Sequence, residues 1–303
     1  MLTSKPLCTH LKQQHKPSTP MQLQTQVAIP RPKFAIEPFQ KVLLVGSCFA
    51  QNMGKRFSEA QFQTTVNPFG VMYNPGSVLH TVQRCTDCPD IAIFTLGTNR
   101  VYCWKETGEI ADNCRKLPQK LFEEKALTVD ECVSFLNQAI EILKTRNPQV
   151  QVVITVSPIR YAKYGFVGSQ LSKATLILAM HSLLHLHPDC TSYFPAYEIM
   201  NDELRDYRFY APDMLHPTEQ AVEYIWEQFS NAYFSPLTHA FLKEWQPLLA
   251  ALKHKPFDAE SAEYKAFIAK TLQDIRVLGE KYGHKIDLSP YGDMGKHHNH
   301  DLI

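Results

Sequence analysis

No apolar run in this chain approaches the ~18 residues that a membrane-spanning helix requires, and the longest stretches have strand length. A helical membrane protein is therefore not expected. Charge of one sign is also missing in excess: 31 Lys and Arg stand against 30 Asp and Glu, for a net charge of +1. Nucleic-acid and anionic-membrane binders carry a basic surplus that this chain lacks, so neither is an expected partner. Cysteine is sparse, at eight in 303 residues, which excludes a small disulfide scaffold and reads as mostly reduced thiols. Cys85-x-x-Cys88 has no second Cys-x-x-Cys and no His-x-x-x-His to complete a zinc tetrahedron. The acidic clusters lack ligand spacing as well, so neither a metal nor a cofactor is expected. Residues 1–20 lack the continuous apolar core of a secretory signal, and a cytoplasmic location is the expectation that follows. There is no internal repeat.

What is present is the make-up of an ordinary globular protein. Hydrophobic residues form 44% and charged residues 20% of a chain long enough to bury a substantial core. Residues 1–20, rich in Lys, Gln, His, Ser and Pro, read as a disordered leader, with Met21 an alternative start. The main domain is expected over 21–235, a helical extension over 236–282 and a flexible tail over 283–303.

Continuous apolar runs at 41–45, 91–96 and 150–156, with a weaker one at 192–194, have the character of strands covered on both faces. Helical patterns separate them. One helix is expected from about 51 to 60, and another opens on the capping-box spacing Thr128-x-x-Glu131, with Cys132, Leu136, Ile140 and Leu143 on one face. A third spans about 170–187 and a fourth about 217–229, where Pro217 suits a first helical turn and Val222, Ile225, Trp226 and Phe229 share a face. Beyond Pro236, Leu237, Phe241, Leu248 and Leu252, then Phe267, Leu272, Ile275 and Leu278, mark two amphipathic helices that pack on the main domain or on a partner. Strand and helix alternate, so the fold class is α/β with a mostly parallel sheet of about five strands, helices on both faces and a C-terminal helical extension.

Chemistry concentrates at two places. Gly46-Ser47 falls where the first strand gives way to a helix, and in an open parallel sheet ligands bind beyond the carboxyl ends of the strands. A hydroxyl there is a candidate nucleophile, and its amide with the helix N-terminus can face a developing oxyanion. A purely structural Gly-Ser turn is the competing reading. Asp213-Met-Leu-His216 precedes the fourth helix, and on a tight turn the carboxylate can hold one imidazole nitrogen while the other takes the serine proton. The competing reading there is that Asp213 and His216 cap the helix. Cys48 is a rival nucleophile, since a thiol beside a helix start can be activated; adjacent side chains point in different directions, so Ser47 and Cys48 cannot both face His216. Ser47 is preferred.

Gly46-Ser-Cys-Phe-Ala50 spells the motif that names the GSCFA family, a branch of the SGNH/GDSL hydrolase-like superfamily. The resemblance continues through Asn67-Pro-Phe-Gly-Val-Met-Tyr-Asn-Pro75, Thr95-Leu-Gly-Thr98, Val156-Ser-Pro-Ile-Arg160, Tyr193-Phe-Pro-Ala-Tyr-Glu198 and Asp213-Met-Leu-His-Pro217. It spans about 21–234. The resemblance implies a flavodoxin-like three-layer domain and acyl-ester hydrolysis through an acyl-enzyme on Ser47, with His216 and Asp213 as catalytic partners. It also implies an oxyanion hole from Ser47, Gly70 and Asn99. In the superfamily motif an aspartate precedes the serine, where this chain has Gly46, and Asn99 is followed by Arg100 where that motif has aspartate. Arg160, at the rim of the same crevice, is a candidate contact for an acidic or sugar-linked substrate group, with a loop-tying salt bridge as the alternative. Asn67, Asn74 and Tyr197 are further candidate substrate contacts, with a packed tyrosine the alternative for Tyr197. A small-molecule or carbohydrate ester is the expected partner. An O-acyltransferase with the same site and a non-catalytic glycan-binding module are the two alternatives.

Overall fold

A computed structural model describes residues 24–112 and 117–291. The expected leader over 1–20 lies outside the described residues. In chain order the elements are β1 (Lys41–Gly46), α1 (Cys48–Glu59), β2 (Gln63–Val66), α2 (Pro75–Arg84), β3 (Ile91–Leu96), β4 (Arg100–Trp104), β5 (Phe122–Ala126), α3 (Val129–Arg146), β6 (Gln151–Val156), α4 (Gly165–Leu186), β7 (Thr191–Tyr193), the single turn α5 (Ala196–Glu198), α6 (Glu219–Tyr233), α7 (Pro236–Leu252) and α8 (Ala262–Tyr282).

The apolar runs become β1, β3 and β6, the centre of a five-stranded sheet in the order β2-β1-β3-β6-β7. Every pairing in it is parallel. Alternation along each strand divides the core in two. Leu44, Ile93 and Val153 face one cluster with Phe57, Phe229 and Trp245. Leu43, Phe94 and Ile154 face the other, with Leu136, Ile140 and Met180. Helices α1, α6, α7 and α8 contribute to the first layer and α2, α3 and α4 to the second, which makes the domain the expected three-layer α/β sandwich. All the strand ends that matter for chemistry lie on one rim.

Local signals explain the boundaries. The capping box forms as read: Thr128 Oγ1 accepts from Glu131 N at 3.2 Å, and Glu131 Oε2 accepts from Thr128 N at 2.8 Å. The fourth helix is displaced from its expected start. Thr218, not Pro217, opens α6, its hydroxyl accepting from Ala221 N at 3.2 Å, and Pro217 lies outside the helix, bridged to Tyr210. The helix expected from 170 begins earlier, at Gly165. β2 and β5 fall in stretches whose sequence shows no apolar run, and the short Val101–Trp104 run of β4 pairs with β5 outside the main sheet.

The two C-terminal helices pack on the main domain. Trp245 is fully buried, and its indole Nε1 donates to Glu59 O at 2.7 Å, at the end of α1. Lys253 pairs with Glu59 at 2.8 Å. Residues 283–291, expected to begin a loose tail, are docked as well: Asp287 N donates to Gln61 Oε1 at 2.8 Å, and Gln61 Nε2 donates to Asp287 O at 3.1 Å. No helix among the described residues is long and apolar enough to cross a membrane.

Because Trp245 joins α7 to α1, Trp245→Ala should destabilise the whole domain by roughly 3–5 kcal/mol in chemical denaturation, in one transition. Two separated transitions would mean that the extension folds independently.

Candidate active site

Site geometry begins at the end of β1. Gly46 adopts φ +151°, and a Cβ there would collide with the Thr95 carbonyl and hydroxyl of β3, so only glycine allows the two strand ends to close. Its N–H donates to Asn67 Oδ1 at 2.8 Å. The Ser47 N–H then donates to Thr95 O at 2.9 Å, with Thr95 Oγ1 at 3.1 Å. The Ser47 side chain turns inward at 1% exposure. It donates to Ser157 Oγ at 2.8 Å, lies 3.3 Å from Thr95 Oγ1, and accepts from Phe49 N at 3.2 Å as the N-cap of α1. Expected to project into the crevice, this hydroxyl is instead buried and committed. Cys48, the first residue of α1, is partly exposed, with Sγ 3.8 Å from the Tyr73 hydroxyl.

A second loop supplies the imidazole. Asp213 Oδ1 accepts the backbone N–H groups of Leu215 (2.9 Å) and His216 (3.0 Å), and Oδ2 meets His216 Nδ1 at 2.6 Å. Those backbone donors, followed by the imidazole, hold the Asp213 carboxyl at about 2, well below the usual carboxylate range. The carboxylate thus stays ionised through neutral pH and fixes Nδ1, which leaves Nε2 as the acceptor nitrogen. Since Thr218 caps α6, the Asp213–His216 pair is not a helix cap.

Arg160 fastens this loop to the end of β6. Its N–H donates to Leu215 O at 2.9 Å and its guanidinium to Met214 O at 3.2 Å. The guanidinium also lies 4.1 Å from the Phe166 ring centroid and 5.3 Å from that of Tyr210. The loop-tying reading of Arg160 holds, through carbonyls and rings in place of a carboxylate. The same residue borders a cavity of about 420 Å³ with Asn201, Asp206 and Tyr207. Ser157 and Arg160 share one loop, so the Ser47 turn and the His216 loop meet at the carboxyl end of β6. No hydrogen bond joins Ser47 to His216 among the described residues.

The expected oxyanion donors are otherwise engaged. Besides the Ser47 amide, Gly70 N–H donates to Asn67 O at 2.9 Å within a turn where Gly70 has φ +99°. Asn99 Nδ2 donates to Leu127 O at 2.7 Å, and its buried Oδ1 has no partner among the described residues. Of the candidate substrate contacts, Asn74 caps α2 by accepting from Ser77 N at 2.9 Å and also borders a cavity of about 460 Å³ lined by Tyr73, Arg100, Tyr102, Tyr161 and Tyr164. Asn67 holds the Gly46 amide, while its Nδ2 has no partner among the described residues. Tyr197 donates to Gln170 Oε1, the packed alternative. Among the described residues no group of three or more His, Cys, Asp or Glu is placed to hold a metal ion.

Two residues beneath the site were not singled out from the sequence. Thr95 is the hub just described. Lys173 of α4 is 1% exposed and donates to Ser157 O at 2.8 Å, with Nζ 5.6 Å from the Tyr197 ring centroid. Burial pulls its amine down to about 7. Its signal in the sequence is a lysine at the helical spacing of Ser169, Leu176 and Met180, on the inward face of α4.

A three-layer α/β domain with a His–Asp pair at the carboxyl rim defines the class to which the chain conforms. Residues 41–89 and 79–229 match the GSCFA family, and the chain belongs to that family. Residues 245–290 match the C-terminal domain of GSCFA domain proteins. No curated protein sequence matches. Similar solved structures include a carbohydrate esterase family 3 member from Talaromyces cellulolyticus (11% identity, 63% of this chain and 95% of that chain, TM-score 0.38). Others are a family 3 carbohydrate esterase from Clostridium thermocellum (12%, 64% and 94%, 0.39) and a variant of the acetyl-xylooligosaccharide esterase Axe2 from Geobacillus (10%, 66% and 96%, 0.44).

Lys173 has a measurable signature. Between pH 7 and about 10 the unfolded chain keeps a proton on this amine that the folded chain has released, so stability should rise with pH across that window. Lys173→Met should flatten the rise, as read from denaturation midpoints at pH 7 and ~9.5. Equal pH dependence in both proteins would show that the amine is charged in the fold.

Proposed function

We propose that this chain is an acyl-transfer enzyme acting on esters, hydrolysing them with water or passing the acyl group to an alcohol. The observation that carries the reading is the His216–Asp213 pair: a carboxylate fixed by two backbone donors orients an imidazole that no helix-capping duty explains. The pair sits on a loop bound to the end of β6, on the rim where ligands of open parallel sheets bind.

In this reading His216 Nε2 removes the proton from a nucleophile on the turn between β1 and α1, where Ser47 and Cys48 adjoin. The nucleophile attacks the ester carbonyl, and the imidazolium returns its proton to the departing alkoxide. Asp213 stays ionised and balances the imidazolium. The wall of tyrosines at Tyr73, Tyr102, Tyr161 and Tyr164 suits the flat face of a sugar ring, which supports a carbohydrate-linked ester as the substrate.

Full-length protein should hydrolyse an activated acetyl ester such as p-nitrophenyl acetate. His216→Ala should lower kcat/KM by about 10²–10⁴-fold, with Asp213→Asn also strongly impaired. Wild-type rates in His216→Ala would remove the basis for the reading, and tight glycan binding without any turnover would favour a binding module.

A further inference from the structure

We infer that the nucleophile of this site is the Cys48 thiol, which forms a thioester intermediate, and that Ser47 is the buried strut holding the turn. The inference rests on the acyl-transfer reading above and fixes which of two adjacent side chains performs it.

Accessibility separates the two. Ser47 is 1% exposed, and every direction its oxygen could use is occupied, by Ser157, Thr95 and the Phe49 amide. Attack from that hydroxyl would require it to abandon the cap of α1 and both neighbours while rotating out of the core. Ser47 turns inward as the N-cap of α1, while Cys48, the first residue of that helix, is partly exposed. The thiol is partly exposed and faces Tyr73, a wall of the 460 Å³ cavity. Of the two side chains, only the sulfur is open to a ligand that approaches along Tyr73.

The donors around the turn tell the same way. A nucleophile's own amide is useful only when it is free. The Ser47 amide is spent on Thr95, whereas the Cys48 amide, in the first turn of α1, has no acceptor among the described residues. Asn67, 7% exposed, has its oxygen held by the Gly46 amide two residues before Cys48, and its Nδ2 hydrogens have no acceptor among the described residues. A buried amide donor without an acceptor is costly unless a ligand supplies one, and an ester carbonyl oxygen becoming an oxyanion would do so. Tyr73, pushed up to about 12 chiefly by its burial and then by Cys48, remains a neutral phenol able to donate to sulfur or to that oxygen.

Atoms balance as follows. The thiol proton passes to His216 as the S–C bond forms, and the carbonyl π pair moves to oxygen. When the pair returns, the C–O bond to the alcohol breaks and the alkoxide takes the proton from His216. Water, or an alcohol acceptor, then attacks the thioester, delivers a proton through His216 to the sulfur and releases the acid or the new ester.

The test traps the intermediate. Full-length protein is mixed with p-nitrophenyl acetate, quenched in acid and mapped by tandem mass spectrometry. One acetyl group is expected on Cys48, released by neutral hydroxylamine as a thioester is. Cys48→Ala and the conservative Cys48→Ser should each lose at least ~10³-fold in turnover while retaining the wild-type circular dichroism spectrum. Ser47→Ala, even where destabilised, should still acetylate on Cys48. Iodoacetamide gives a second readout without an ester: the Cys48 peptide should be alkylated faster in wild type than in His216→Ala. Acetyl on Ser47, or wild-type turnover in Cys48→Ala while His216→Ala remains impaired, overturns the thiol assignment and leaves the acyl-transfer reading standing. Wild-type turnover in His216→Ala overturns both.

Discussion

The closure of β1 on β3 is the constraint from which the site follows. Gly46 brings its backbone so close to Thr95 that no side chain fits between them, and Thr95 then receives the Ser47 amide on both its carbonyl and its hydroxyl. With the backbone fixed in this way, the Ser47 side chain has one place to go, into the gap between the ends of β1, β3 and β6, where Ser157 accepts its proton. The same placement caps α1 and so sets the axis of that helix, whose far end carries Glu59 and hence Trp245 of α7. A hydroxyl placed this way holds the ends of three strands and the start of a helix together. What the turn presents to solvent is decided by exclusion, and it is the next residue along.

The fold was legible where burial is two-sided. β1, β3 and β6 are covered by helices on both faces, so their sequences carry continuous apolar runs. β2 is an edge strand, Gln63-Thr-Thr-Val66, half-exposed along its length, and polar residues satisfy it; no periodicity marks it. β5 reads Phe122-Glu-Glu-Lys-Ala126, with Phe122 buried and the rest exposed, and it pairs only with β4. Its strand character comes from that partner and not from its composition. Pro217 misled for a related reason: proline is compatible with the first helical turn and equally with the residue before a cap, and Thr218 decides between them.

The site divides along the same line, between what is local and what is not. Asp213 and His216 are three residues apart, and the carboxylate organises the turn through its own neighbours' amides, so their contact was visible as a candidate in the spacing, with helix capping as its rival. The direction of the Ser47 side chain depends on Thr95 and Ser157, which lie 48 and 110 residues away in sequence. No motif written along the chain encodes that. Arg160 could be read from the sequence as a substrate contact or as a tie between loops, and Met214 O, Leu215 O and two aromatic rings, all remote in sequence or set by the fold, hold it here.

Ser157 connects the β1–α1 turn, the core of α4 and the His216 loop. Its hydroxyl accepts from Ser47, its carbonyl accepts from Lys173, and three residues on, Arg160 grips the loop that carries His216. A buried lysine with a single carbonyl partner is a poor stabiliser, because desolvation opposes its charge and one hydrogen bond does not offset that loss. Its presence makes sense as a fixed length of donor that sets the height of the Ser157 loop above α4. Any displacement of that loop would be felt by Ser47 at the start of α1 and by Arg160, which holds the loop of His216. The spacing between the β1–α1 turn and the His216 loop is therefore controlled from below, by packing in the core, while Cys48 and His216 themselves stay partly exposed.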